Sequence, residues 1–409
     1  MKICFFTENY YKGGLDTFLI NLINAWPGEK DELTLVCNGT HLGLDTISEK
    51  INRHFTLKKY YRVFTSRLSQ GHSTFKWGQS LPVRAFFVLA FRFLQYPVLF
   101  PWYIFTLALF FRRSDFVRLM VVNGGYPASL LGRSAMIAWR FSGKPHLAVM
   151  NFHNSTMPPH WYSSFIENLI DKWVIRSASK IVSVSKDCLQ SLNSRSAFLG
   201  CTKLSYIYNG IEDPVLLFKT ESNKTKNNPS LKRYCLMLGT YEARKGHEYL
   251  LQAFQMVVKK YPDVQLQIYG HGRAHEKQRV VDNVMQLKIK NNITLGDFTL
   301  KTNELLAGAN ILVVPSQSNE SFGLTIIEAM AFGVPVVTTD VGGMPEVLDN
   351  SNAGFVCSKN NPKEFATAME NILGNLKLAT KLGQNGRNTF EQRFMALTMA
   401  KQYESMIKY

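Results

Sequence analysis

The chain has 409 residues, too many for one ordinary domain of roughly 100 to 200, and its 46% hydrophobic content is ample for packed cores. Its 47 Lys and Arg against 30 Asp and Glu leave a formal charge of +17, a balance that favours anionic partners such as phosphates or acidic lipid. Six scattered cysteines without a C-x-x-C pair speak against a disulfide or metal framework and predict buried thiols in a reducing compartment.

From its first residues the chain goes from "MK" into a strand, "KICFFT", with no apolar core and cleavage site of a signal peptide, so a cytoplasmic protein is expected. The loop that follows, "TENYYKGGLDTF", puts Gly13 and Gly14 where absent side chains admit a phosphate or an acceptor. After the strand "LTLVCN", residues 51–120 carry eleven basic residues and a single acid, Asp115, and so hold ten of the 17 net charges. Inside that stretch, 93–111 runs nineteen residues without a charge, close to the length of a membrane span but interrupted by Gln95, Pro97 and Pro101. Three readings stay open for it: a span, a helix buried in an α/β domain, or a helix on the membrane surface flanked by arginines. Further strands are predicted at "RLMVVN", "LAVMNF", "KIVSVS" and "SYIYN", with His153 just beyond the second of these.

A polar segment, "KTESNKTKNNPSLK", separates the two halves, and the boundary is placed near Asp213. Beyond it come "YCLMLG", "VQLQIYG", "NITLG", "NILVVPS", "PVVTT" and "GFVCS", again alternating with helical patterns. Such alternation predicts parallel sheets built from βαβ units, two of them, with ligands at the carboxyl ends of the strands. Those ends carry "LGTYEARKGHEYL", "YGHGRAHEK" and "PSQSNESFG". A helix is predicted over about 322–332, ended by Gly333 and Pro335, so that amides from Ser321 to Leu324 can meet a diphosphate. Glu320 precedes that helix, and Glu328 lies among apolar neighbours, where a carboxylate wants hydroxyl donors. Arg244 and Lys245 offer cations for a leaving diphosphate. Gly270 and Gly272 lack the third glycine of a dinucleotide fingerprint, which weakens a nicotinamide oxidoreductase.

The segment "NESFGLTIIEAMAFGVPVV", with "PS" before it and "GGMPEVL" after it, resembles the E-x7-E signature of retaining GT-B glycosyltransferases of family 4. The resemblance covers 238–348 most strongly and implies two Rossmann-like domains with parallel sheets facing across a cleft. The expected division is 1–212 for acceptor binding, 213–385 for the nucleotide sugar, and a helix over 386–409 that returns to the first domain. By resemblance Glu320 lies by the donor sugar, Glu328 holds the ribose, and Arg244 and Lys245 sit on the diphosphate, although Thr240 stands where relatives commonly have arginine. Gly239, Gly270, Gly272, Ser321, Phe322, Gly323 and Leu324 complete the donor site, Gly13 and Gly14 approach it from the first domain, and His153 contacts the transferred sugar. Catalysis is then assigned to Glu320, His153, Arg244 and Lys245.

The function so implied is retaining transfer of a sugar from a nucleotide diphosphate donor, UDP favoured over GDP, to a glycan or lipid-linked acceptor in cell-surface polysaccharide assembly. No D-x-D motif follows a strand, and neither a metal nor another cofactor is expected. The expected partners are nucleotide sugar, acceptor and, through 51–120, the anionic inner face of a membrane, with no nucleic acid. A nucleotide-sugar epimerase and a non-catalytic nucleotide-sugar-binding module remain as alternatives.

Overall fold

Apolar strand runs buried on both faces are the mark of parallel sheets, and every strand pair among the described residues is parallel. The structure, a computed structural model, describes residues 1–61, 95–219, 233–348 and 351–408. The chain forms two units, one of 1–207 with 400–409, the other of 208–399. Most of the polar segment between the halves, and residues 62–94 of the basic stretch, lie outside the described residues.

In the N-terminal unit the strands are β1 (Lys2–Thr7), β2 (Glu32–Asn38), β3 (Thr56–Tyr60), β4 (Arg118–Asn123), β5 (Ala148–Phe152), β6 (Lys180–Ser183) and β7 (Leu204–Tyr206). They order as β3-β2-β1-β4-β5-β6-β7, so the order reverses between β1 and β4. The helices are α1 (Gly14–Asn24), α2 (Leu44–Lys50), α3 (Phe100–Arg113), α4 (Leu130–Phe141), α5 (Ser164–Ser177) and α6 (Lys186–Gln190). Strand β3 was not expected, because Lys58 and Lys59 face solvent on an edge strand and hide the alternation.

The uncharged segment 93–111 resolves, where described, into an irregular turn at Gln95–Leu99 and the fourteen-residue α3. Helix α3 buries Tyr103, Leu107 and Phe111, and the Phe111 ring meets Trp139 of α4 edge-on at 5.3 Å. Among the described residues no helix is long and apolar enough to cross a membrane.

The C-terminal unit has strands β8 (Tyr234–Leu238), β9 (Gln265–Tyr269), β10 (Ile293–Gly296), β11 (Ile311–Val314), β12 (Val336–Thr339) and β13 (Gly354–Cys357), ordered β10-β9-β8-β11-β12-β13. Its helices are α7 (Pro214–Lys219), α8 (His247–Lys260), α9 (Ala274–Gln286), α10 (Thr302–Gly308), α11 (Leu324–Ala331), α12 (Met344–Leu348), α13 (Pro362–Gly374), α14 (Leu376–Thr389) and the start of α15 (Ala396–Lys408). One core of Leu250, Phe254, Leu266, Ile268, Val313 and Phe365 joins the sheet to α8 and α13. The expected single helix over 386–409 is instead α14, a turn at Phe390–Phe394, and α15, because Met395 is extended at φ −69 and ψ 139. Residues 400–409 group with the N-terminal unit, where Tyr403 accepts a 2.6 Å hydrogen bond from the Asn151 amide and the Ile407 carbonyl accepts one of 3.0 Å from Arg118.

Helix α5 is anchored by charge. Glu167 and Asp171, both on its buried side, meet Arg133 of α4 at 2.7 Å and Arg195 at 2.7 Å respectively, and Arg195 also reaches Glu167. Tyr126 donates to Asp171 at 2.6 Å, and Arg195 donates to the Met157 carbonyl at 3.0 Å. Arg195 is 1% exposed, so removing it leaves buried Asp171 without a cation and Glu167 with Arg133 alone. The variant Arg195→Met is expected to lose about 3–5 kcal/mol of stability, read as the shift of the urea unfolding midpoint. Arg233→Met, which breaks an exposed pair with Asp263, is expected to move that midpoint little.

Candidate active site

Ligands of open α/β sheets lie beyond the strand ends where the strand order reverses. In the C-terminal unit that point is between β8 and β11. The loops after these two strands are 239–246 and 315–323, and sheet pairing sets them side by side although about seventy residues separate them in the chain.

Backbone contacts lock the two loops together. Gln317 donates to the Arg244 carbonyl at 2.7 Å. Gly246, at φ +77, faces the Pro315 carbonyl so closely that a Cβ would lie 1.9 Å from its oxygen. The loop after β12 adds a third clamp, since Gly343 donates to the Glu320 carbonyl at 3.0 Å and a Cβ on Gly342, at φ +60, would stand 2.0 Å from the same oxygen. Thr339 of β12 donates to the Ser316 carbonyl at 2.5 Å and Thr338 to that of Val314 at 3.0 Å.

On this frame Lys245 forms an ion pair with Glu320, and the Ser316 hydroxyl donates to the same carboxylate at 3.1 Å. Arg244 donates through Nε to Glu242 at 2.6 Å and through Nη1 to the Asn319 carbonyl at 3.2 Å. Thr240 donates to the other Glu242 oxygen at 2.9 Å. Burial would raise the Glu242 pKa, but the hydrogen bonds from Arg244 and Thr240 outweigh it and hold the carboxyl below its usual range. Glu242 and Ser316 escape the sequence reading, because neither stands out until the loops are folded together.

Helix α11 begins at Leu324, two residues later than expected, after Gly323 at φ +86. Its leading amides are therefore those of Leu324 and Thr325. Glu328 sits one turn further on, with Ile326, Ile327, Ala329, Met330 and Ala331 buried around it. Its carboxyl has no hydrogen-bond or ion-pair partner among the described residues, and desolvation pushes its pKa up to about 7.

Other expected site residues have local roles as well. A Cβ on Gly270 would meet the Gly239 carbonyl oxygen at 1.8 Å, and one on Gly272 would meet Tyr241 at 2.6 Å, so both glycines are required by packing of the β9 loop on the β8 loop. Phe322 is buried, with its ring 6.0 Å from those of Tyr208 and Phe394, which leaves only its backbone for a ligand. Ser321 is buried beside it. His247, on the first turn of α8, stacks on Tyr241 at 5.2 Å, and burial lowers its pKa to about 4.

The N-terminal unit carries its own constellation at the β1–β4 reversal. Gly13 and Gly14 are exposed, and a Cβ on Gly13 would meet nothing within 4 Å. Buried Asp16 orders their loop, accepting from Asn9 at 2.9 Å and from the Gly13 amide at 3.3 Å and pairing with His41 at 3.0 Å. His153 packs edge-on against Phe18 at 4.3 Å, its Nε2 has no partner, and burial lowers its pKa to about 3, so its imidazole is neutral at physiological pH.

Residues 218–389 match the model of the family described as glycosyl transferases group 1. The C-terminal unit carries a glycosyl transferases group 1 domain. An uncharacterized glycosyltransferase of Haemophilus influenzae is 31% identical over 156 residues, which are 37% of this chain and 42% of that protein. The capsular polysaccharide biosynthesis glycosyltransferase CapM of Staphylococcus aureus is 30% identical over 164 residues, 40% of this chain and 42% of that one. The chain spans about half the length of the curated relatives it matches. The crystal structure of HepE from Anabaena in complex with UDP superposes over 100% of both chains with a TM-score of 0.72 at 16% identity, a likeness in fold, and that fold is GT-B.

Glu328 makes a pH test. Its folded pKa of about 7 exceeds its ordinary 4.5, so the folded protein binds the extra proton between those values. Its contribution is therefore most favourable below about pH 4.5 and is lost as pH rises to about 7, by on the order of 3 kcal/mol. Glu328→Gln is expected to remove that loss, so that urea unfolding at about pH 5 and about pH 8 differs less than in the parent; equal slopes in both proteins would contradict the assignment.

Proposed function

We propose that this protein is a retaining glycosyltransferase that takes a hexose from a nucleotide diphosphate sugar, UDP-sugar in preference to GDP-sugar, and passes it to a glycan or lipid-linked acceptor in cell-surface polysaccharide assembly. The observation that carries the reading is the Lys245–Glu320 pair at the β8–β11 reversal, with the unpartnered Glu328 carboxyl one turn into the helix behind it. The UDP held by HepE and the part of CapM in capsular polysaccharide biosynthesis support the donor and the acceptor class.

In this reading the diphosphate lies at the start of α11, against the amides of Leu324 and Thr325. Lys245 exchanges Glu320 for a phosphate oxygen, and Arg244 remains anchored by Glu242 on the same loop. Ribose hydroxyls donate to Glu328, which offsets the desolvation of its carboxyl. The bond between the anomeric carbon and the diphosphate oxygen breaks, and the acceptor oxygen bonds to that carbon on the same face. The acceptor proton passes to the departing phosphate. Two fixed cations and the helix amides take up the developing charge without a divalent ion. In the N-terminal unit, His153 with its neutral imidazole, and the open loop at Gly13 and Gly14, are assigned to sugar recognition.

Glu320 and Lys245 both keep some exposure, so each can be removed without collapse of the unit. With labelled UDP- and GDP-sugars and membranes as acceptor source, Glu320→Ala is expected to lower kcat at least about 100-fold with an unchanged unfolding midpoint. Lys245→Ala is expected to weaken nucleotide binding as well, and chelation by EDTA to leave turnover unchanged. Near-normal turnover of Glu320→Ala would sink the site assignment, and loss of activity in EDTA would sink metal independence.

A further inference from the structure

Helix α5 buries its two acids beside Ile170 and Val174 and exposes its aromatic residues. A helix on an α/β unit ordinarily buries its apolar stripe and shows its charges to water. Here both acids of α5, Glu167 and Asp171, face inward onto Arg133 and Arg195, while the aromatic residues face outward. Trp161, Tyr162, Phe165, Ile166, Leu169 and Trp173 are exposed, Trp161 at 90% and Phe165 at 76%. Their spacing of about four residues makes one stripe along the helix and the turn that leads into it. Phe141 at the end of α4 extends the stripe, its ring 5.7 Å from that of Trp173.

The charges that remain in solvent on this side have one sign. Helix α4 packs against both α3 and α5, and Tyr96, just before α3, donates to Glu167. Helices α3 and α4 contain no acid at all, and the two acids of α5 are buried. Lys172 and Arg176 flank the aromatic stripe, Arg176 lying 5.6 Å from the Trp173 ring, and Arg112 and Arg113 are exposed at the end of α3. An exposed apolar stripe of this extent marks a contact surface, and Trp and Tyr with Lys and Arg beside them are the residues that settle at a bilayer interface.

We propose that the solvent face of α5, from Trp161 to Arg176, inserts into the interface of an anionic lipid bilayer. The aromatic side chains enter the boundary between headgroups and acyl chains, and Lys172 and Arg176 reach the lipid phosphates. The buried pairs with Arg133 and Arg195 keep the two acids of α5 away from that anionic surface. This face differs from the basic stretch 51–120, and it does not depend on the transfer reaction, although it would give a lipid-linked acceptor a surface to be met on.

The test is flotation of the full chain with vesicles of phosphatidylcholine alone or mixed with phosphatidylglycerol. The parent protein is expected to float with the mixed vesicles and not with the neutral ones. Trp161→Ser with Phe165→Ser, at two positions so exposed that the unfolding midpoint is expected to hold, should lower partitioning at least about tenfold. Lys172→Glu with Arg176→Glu should lower it by roughly fivefold or more for each residue. Lys58→Glu with Lys59→Glu, on edge strand β3, should change it little.

Binding that survives the aromatic replacements, or that is lost only on changing Lys58 and Lys59, would overturn the assignment. A concentration-dependent dimer that the aromatic replacements dissolve, with no vesicle binding by the parent, would show instead that the face covers a second copy. Because flotation needs no turnover, failure here leaves the glycosyltransferase reading to its own assay.

Discussion

The adjacency of β8 and β11 is the constraint on which the candidate site depends. Nothing in the chain between 246 and 315 requires Lys245 to meet Glu320; the meeting follows because β11 pairs with β8 on the side away from β9. A parallel sheet delivers both strands to the same end, and reversal of the strand order leaves a gap there that no crossover helix fills. The gap is narrow. It closes only where side chains are absent, at Gly246 against Pro315 and at Gly342 against Glu320, so the glycines govern how closely the charged loops approach. Once the backbones are clamped, the Lys245–Glu320 ion pair, the Ser316 hydroxyl and the Glu242 bridge to Arg244 hold one another in place across the two loops.

Much of this was legible in the sequence. The continuous apolar strands were, because burial on both faces of a parallel sheet leaves runs such as "KICFFT" with no alternation to misread. The family signature around Glu320 and Glu328 was legible for the same local reason. What the sequence hid was whatever depends on contacts between distant segments. Gly270 and Gly272 look like a ligand loop, yet their Cβ directions point into Gly239 and Tyr241. Edge strand β3 reads as a charged loop because an edge needs no apolar outer face. The Arg133, Glu167, Asp171 and Arg195 cluster draws on three separate elements, and no spacing rule links them.

That cluster also settles which way α5 faces. "WYSSFIENLIDKWVIRS" has apolar residues on more than one side, and hydrophobicity alone would turn the aromatics inward. Two buried arginines reverse the choice. With cations already committed to the interior, the stable solution brings Glu167 and Asp171 in to meet them, and Trp161, Phe165 and Trp173 are carried out on the opposite side. Electrostatics inside the N-terminal unit thereby decides what its surface shows.

A similar trade operates at Glu328. An apolar residue in its place would carry no such desolvation cost, so the carboxyl is a local loss of stability in the free protein. The loss is specific: only a ligand that brings hydroxyl donors to that spot recovers it. Because its pKa is raised to about 7, such donors also favour the ionised form, which ties occupancy of the site to release of a proton near neutrality. Lys245 and Glu320 show the opposite economy, since each already has its partner and a ligand must offer a better one. The site thus combines an acid that waits for a partner with a pair that must part. A diol on one side and a diphosphate on the other meet both requirements at once, which neither group would meet alone.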